Sequence, residues 1–334
     1  MEDKKFEQFI ATTRSLGLEP VERASLRLAL VEKMQPPRPY FQFIYWSYFS
    51  RLSTVAVAFL VVISAGASLA AEGSLPGDLF YPMKLVVNEK IRGALATTPE
   101  ARATWSASVA VRRLDEAETL ASRSELTPGA EAQLRASFHQ AASDLQTNLA
   151  ALPPEKTFAA GNINNNFKSA LKAHGRILTN INQNRQNKPR VIGDDDLAGL
   201  IAGVKQEQDV VDRDEIAVIK RSKSKESKEG GERNDQPTFR AATGARMVAQ
   251  EKIAEVERLL DGQKSGLSSE NNKKLDQRLH SVLEQLTAGQ ASLVNGQSEE
   301  ALNAFQTASG LAEETNILIK AQEKLKDKDI DLGL

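Results

Sequence analysis

The chain has 334 residues, and 43 Lys and Arg stand against 44 Asp and Glu, so its net charge is close to zero. That balance gives no concentrated basic face for nucleic acid, and the lack of any cysteine excludes disulfides, thiolate metal sites and Cys nucleophiles. Aromatic residues are 5% of the total, and the remaining apolar content is mostly Ala, Leu, Val and Ile, which suits long helices rather than a β-sandwich.

Residues 1–39 read as a cytoplasmic segment of two short amphipathic helices. Phe6, Phe9 and Ile10 mark the first, Gly17 breaks it, and Pro20 opens a second carrying Val21, Ala24, Leu28 and Val31 on one face. So short a segment cannot bury a core alone, so it needs a partner protein, a membrane surface or a copy of itself. Pro36, Pro37 and Pro39 form a stiff joint into the next segment.

Residues 40–71 are an aromatic belt and a transmembrane helix. Leu52 to Ala71 is twenty residues without a charge, and at 1.5 Å per residue it spans about 30 Å, the thickness of a bilayer core. Tyr40, Phe41, Phe43, Tyr45, Trp46, Tyr48 and Phe49 precede it, and Arg23, Arg27, Lys33, Arg38 and Arg51 lie on the same side. The positive-inside rule therefore places the N-terminus in the cytoplasm and the rest outside the cell membrane. Ser68-Leu69-Ala70 resembles a signal-peptide cleavage site, but about fifty preceding residues are too many for an ordinary signal, which favours an uncleaved anchor. Gly66 and Ala70, like Ser64 and Ser68, are four apart and would allow two such helices to approach in a homo-oligomer.

Residues 72–182 are expected to form a helical domain. Pro76-Gly77 signals a turn, and Pro82 starts a helix with Val87, Ile91 and Leu95 at four-residue spacing. Thr97-Thr98-Pro99-Glu100 starts the next, with Ala107, Val111, Leu114, Ala117 and Ala121 on its stripe. Thr127-Pro128 opens a third, whose stripe of Leu134, Phe138, Ala141, Leu145, Leu149 and Leu152 is the most regular in the chain; Phe138 and Leu145 are expected core residues. A fourth, around residues 160–182, carries Ile163, Phe167, Leu171, His174, Leu178 and Ile181.

Residues 183–238 read as a flexible linker, disordered over the charged run Arg221–Arg233. Within it, Asp196 to Lys220 leaves a short helix, a strand and a docking segment all open. Residues 239–328 regain helical periodicity: Ala242, Ala249, Ile253, Val256 and Leu260, then Leu275, Leu279, Val282, Leu286 and Leu293. Ser298 opens a last helix with Leu302, Phe305, Ala308 and Ala312 inward. Two related helical hairpins or one interrupted bundle fit this pattern, an all-α, coiled-coil-like fold beyond a single membrane helix.

No residue is nominated as catalytic, cofactor-binding or metal-binding. His174 lies on an apolar stripe and reads as a hydrogen-bonded core histidine, while His139 and His280 sit beside their stripes and are expected to face solvent. Asp194-Asp195-Asp196 lacks the spacing of a calcium loop, and Lys220 to Lys228 is diluted by acids and reads as a solvated linker. Leu302 to Ala308 echoes a tetratricopeptide repeat without the period, so a core stripe is preferred. Phosphate loops, nucleophile elbows and HExxH are absent, so an enzyme is not expected.

The stretch Ala71-Glu-Gly-Ser-Leu-Pro-Gly-Asp-Leu-Phe-Tyr-Pro-Met-Lys84, continued by Asn88-Glu-Lys-Ile-Arg92, Pro99-Glu-Ala-Arg102 and Arg112-Arg-Leu-Asp-Glu-Ala-Glu118, resembles the bacterial domain-of-unknown-function family 5667 over roughly residues 50–150. The resemblance implies a helical domain outside a membrane helix and no established activity. Some relatives carry a cytoplasmic anti-sigma-like segment, but this chain lacks the His and Cys pattern of the zinc-binding versions. In the Leu-Pro-Gly-Asp element itself, the turn is expected to redirect the chain as it leaves the bilayer, Tyr81 to rest at the interface, and the helix after Pro82 to pack its apolar face on the bundle. The expected function is that of a membrane-anchored interaction or scaffold module with a protein partner. The alternative is a transmembrane regulator whose residues 1–35 hold a cytoplasmic partner.

Overall fold

The computed structural model describes residues 2–15, 17, 19–34, 71–186, 197–226, 236–263, 269–326, 330 and 332. Among these residues the secondary structure is helical and no strand occurs. The chain divides into two units, Met1–Gly66 and Ala67–Leu334.

In the first unit α1 (Glu2–Ser15) and α2 (Pro20–Lys33) form where the apolar periodicity places them. The Glu22 carboxylate accepts the Glu19 N–H at 3.2 Å, satisfying a backbone donor that the first helical turn leaves free. Phe6, Phe9, Val21 and Leu28 are all exposed. The proline joint, the aromatic belt and the expected span, apart from its last residue Ala71, lie outside the described residues. Among the described residues no helix is long and apolar enough to cross a membrane.

The second unit begins with a turn in which the Leu75 N–H donates to the Asp78 carboxylate at 2.7 Å, and Gly77 takes a φ of 102° that its lack of a Cβ permits. Helix α3 comes next, running from Tyr81–Met83 through a π-helical turn, Lys84–Glu89, into Lys90–Leu95. Helices α4 (Pro99–Ser122) and α5 (Pro128–Ala150) form a hairpin. Each starts on a threonine whose hydroxyl accepts a backbone N–H, Thr98 from Ala101 at 3.1 Å and Thr127 from Ala130 at 3.2 Å. Then come α6 (Thr157–Gln186), α7 (Ala198–Glu226), α8 (Gln236–Gln263), α9 (Ser269–Val294) and α10 (Ser298–Leu325).

Helices α6 and α10 are central: α6 packs on α4, α7 and α10, and α10 packs on α6, α8 and α9. Their close approach depends on Gly310, where a Cβ would lie 2.7 Å from the Ser169 hydroxyl. The stripes behave as expected: Leu134, Phe138, Leu145, Leu171, Leu178, Val256, Leu275 and Phe305 are all buried.

The packing decides three points. First, of two related hairpins or one interrupted bundle it is the bundle, because Leu114, Phe138, Leu171, Val256, Leu275 and Ile319 belong to one hydrophobic core. Second, the segment 183–238 is not all linker. Helix α7 resolves the open choice for Asp196–Lys220 and continues through Arg221–Glu226, and Leu197, Leu200, Val204 and Val211 enter the same core. Their spacing of three, four and seven is helical, but the charged run behind it dominates the composition. Third, α3 is reversed: Tyr81, Lys84 and Asn88 are buried, while Val87, Ile91 and Leu95 are exposed. Tyr81 is only 4% exposed, which is incompatible with resting at a membrane interface.

Ile330 and Leu332, beyond the expected end of the last helical region, are also buried. The Asn180 side chain donates to the Leu332 carbonyl at 2.7 Å, and Gln322 both accepts from Leu332 N–H at 3.0 Å and donates to the Ile330 carbonyl at 3.2 Å.

Phe138→Ala removes a fully buried ring and should cost about 3–5 kcal/mol, read as a lowered denaturation midpoint. Because the core crosses the α7–α8 connection, a chain cut at a protease site inserted near residue 230 should still elute as one particle; separation into two folded pieces would contradict a shared core.

Candidate functional site

Two polar clusters lie within the second unit. The first joins α3 to α4. Lys84 Nζ sits 2.6 Å from one Glu116 oxygen, and Arg113 Nη1 donates to the other at 2.8 Å. The same Arg113 nitrogen donates to the Tyr81 hydroxyl at 2.8 Å, and that hydroxyl donates to Glu116 at 3.0 Å. Arg113 also pairs with Glu89, and Lys84 Nζ donates to the Ser74 carbonyl at 2.9 Å. The π-turn makes this possible, since its five-residue hydrogen-bond spacing stacks Lys84 and Glu89 on one side. Burial, then the Glu116 carboxylate, pushes the Tyr81 phenol well above its ordinary value, so it stays a donor.

At the rim of this cluster stands Glu72, the first charged residue after the uncharged segment. Arg92 Nη1 donates to it at 2.9 Å, Asn88 Nδ2 at 3.3 Å, and Arg112 lies 3.5 Å away. Burial opposes the Glu72 charge, but Arg112 and Arg92 outweigh it and hold the carboxyl below the usual range.

The second cluster lies where α4, α6 and α10 meet. His174 Nδ1 is 2.7 Å from Glu118 Oε1, both side chains are buried, and His174 Nε2 has no hydrogen-bond partner. With Asp115 they place three donor atoms within 4.8 Å of one another. They line a cavity of about 560 Å³ to which α10 contributes Lys320 and Lys324. Such N and O donors suit a divalent cation in type, but the Lys324 charge, which acts on both Glu118 and His174, opposes one. The arrangement is a buried, hydrogen-bonded histidine–carboxylate pair. Burial raises the Glu118 carboxyl, and the Glu118 charge raises His174 in spite of the burial that opposes it.

His174 is the hydrogen-bonded core histidine expected of it. His280 is exposed as expected, but His139 is half-buried, with Nδ1 2.9 Å from Glu207 and its ring against Gly203 of α7. Asp194–Asp196 lies outside the described residues. Phe305 and Ala308 are plain core residues. Sequence reasoning missed Lys84, Arg113, Glu116 and Glu118 as buried charges. Their only signal was position: Arg113, Glu116 and Ala117 fall at helical spacing beside Leu114, on the face that is buried.

Residues 73–188 match the family model described as Domain of unknown function (DUF5667). The match runs from the turn before α3 to the end of α6 and so includes Lys84, Arg113, Glu116, Glu118 and His174, but it leaves out Glu72 and helices α7 to α10. No curated protein and no solved structure matches the chain.

Glu116→Gln strands Lys84 and Arg113 in a buried site and should cost about 3–5 kcal/mol. Glu125→Gln, at an exposed pair, should stay within about 0.5 kcal/mol; equal effects in denaturant melts would refute the ranking. For His174 the folded value lies above the ordinary 6.5. Its contribution is therefore complete below about pH 6.5 and lost as pH rises through the folded value. The thermal midpoint should fall over that window, and His174→Gln should flatten the fall; an unchanged slope would remove His174 as its source.

Proposed function

We propose that this chain is a single-pass protein of the bacterial cell membrane, anchored through residues 52–71, with its N-terminus in the cytoplasm and a helical interaction module outside. The observation that carries this reading is the tie between Glu72 and the α3–α4 pair. It fastens the residue that directly follows the uncharged segment to α3 and α4 by ion pairs. A module placed in this way presents a surface to a protein partner, or to a second copy, at a set height above the bilayer. No catalytic step and no nucleic acid enter this reading.

The transmembrane-regulator alternative is favoured by one observation in the first unit. Helix α2 buries none of its residues, and with α1 it exposes Phe9, Ile10, Leu28 and Val31. A segment with that much uncovered apolar surface fits a cytoplasmic protein partner, which would make the outer module a sensor.

Reporter domains that fluoresce only in the cytoplasm should work when fused at residue 40 and fail at residue 334; the reverse would overturn the topology. Capture of the full chain from detergent extracts, beside a Phe9→Asp/Leu28→Asp variant, separates the two functions. A partner lost in the variant supports the regulator. A partner retained by the variant supports the outer interaction module.

A further inference from the structure

The amphipathicity of α3 runs opposite to that of an ordinary surface helix. A helix on a folded domain normally turns its apolar stripe to the core and its charges to water. Here Tyr81, Lys84 and Asn88 face the domain, and Glu89 pairs there with Arg113. The other side carries Val86, 57% exposed, Ile91, 57%, and Leu95, 74%, with Val87 beside them. The turn just before the helix adds Leu79, 88% exposed, and Phe80. Gly93 keeps the inner side close to α4, since a Cβ there would lie 3.0 Å from the Trp105 indole nitrogen. The apolar side cannot be turned inward without tearing Lys84 from Glu116, so it stays on the outside of the domain.

We infer that α3 lies flat in the outer surface of the bilayer, with Val87, Ile91 and Leu95 bedded among the lipid acyl chains. The inference rests on the membrane-anchor reading and goes beyond it, because it assigns lipid contact to a helix that does not cross. Three observations select lipid over protein as the occupant. The uncharged segment ends at Ala71, ten residues before Tyr81. Ala71 is itself built into the domain, its carbonyl accepting the Ser74 hydroxyl at 2.6 Å. The next residue, Glu72, is held by Arg92 and Asn88 of α3 at 2.9 and 3.3 Å, so the helix lies within side-chain reach of the point where the chain leaves the span. A helix fixed at that point has the bilayer surface beside it.

The charges agree with this placement. Lys90 is exposed on α3 beside the apolar side, and Arg92 is half exposed at its edge. An apolar stripe rimmed by basic residues is the pattern of a helix that lies in the headgroup boundary of anionic lipid. The ion pairs beneath it then have a purpose. They clamp the helix to the domain from its polar side.

The absence of cysteine makes the test direct. Full-length protein carrying a single substitution, Ile91→Cys, Leu95→Cys, Val61→Cys or Val294→Cys, is labelled with an environment-sensitive fluorophore. Each is reconstituted into vesicles of phosphatidylcholine and phosphatidylglycerol, with or without doxyl-labelled lipid. Circular dichroism confirms that each variant folds. Labels at 91 and 95 should lose about half their emission to a doxyl group near the headgroup and less to one deep in the chain. The label at Val294, 87% exposed, should be unaffected. Quenching at 61 without quenching at 91 and 95 overturns the inference and leaves the anchor standing. No quenching at any position overturns both. Blue-shifted but unquenched labels at 91 and 95 mean that protein covers the face, which also overturns it. Leu95→Glu provides an independent arm, since it should leave the thermal midpoint of the protein in detergent unchanged and abolish quenching at 91.

Discussion

The buried charge cluster of Lys84, Glu116 and Arg113 decides the character of the domain's first helix. Moving charges out of water is expensive, and the attraction between them repays the cost only when the geometry is good and the remaining donors are satisfied. Tyr81 and the Ser74 carbonyl supply much of that satisfaction. Burial of this kind gives a defined orientation rather than net stability. It sets which side of α3 faces α4, and the exposed apolar side is its consequence.

The elements around the cluster are adapted to it. The Leu75–Asp78 turn brings the chain round so that Ser74 can reach Lys84, and the π-turn aligns Lys84 with Glu89. Gly93 lets the end of α3 come down on Trp105, whose ring also receives the Arg112 guanidinium at 5.5 Å. The stretches Leu75–Lys84 and Arg112–Glu116, which carry the family resemblance, thus meet each other in space. Their shared role is to fix one helix against another.

The interior beyond this cluster is ordinary helical packing with one polar interruption. His174 and Glu118 join α6 to α4, and α10 closes the cavity beside them with Lys320 and Lys324. That closing helix lies outside the matched family segment, so the environment of the pair is completed by a part of the chain that the family pattern does not describe. The shared core has the same consequence, since α10 packs on the matched helix α6 and α8 and α9 pack on α10, all within one core.

Much of the fold was legible in the residues. Thr98-Pro99 and Thr127-Pro128 start helices because a hydroxyl acceptor and a prearranged φ satisfy the first turn wherever they occur. The stripe from Leu134 to Leu145 is buried because its period admits no other helical face. Both are local properties, and sequence states local properties directly. What the sequence did not disclose was long-range: that Lys84 would find Glu116 thirty-two positions on, that His139 would meet Glu207, and that Leu197 to Val211 would join a core behind a charged run. The apolar spacing of Val87, Ile91 and Leu95 correctly gave a helix and an apolar face, but not the direction in which that face points. An isolated amphipathic helix has no inside. The tertiary structure supplied one: Lys84 and Glu89 on the opposite side meet Glu116 and Arg113 of α4, and that pairing leaves the apolar side facing away from the domain.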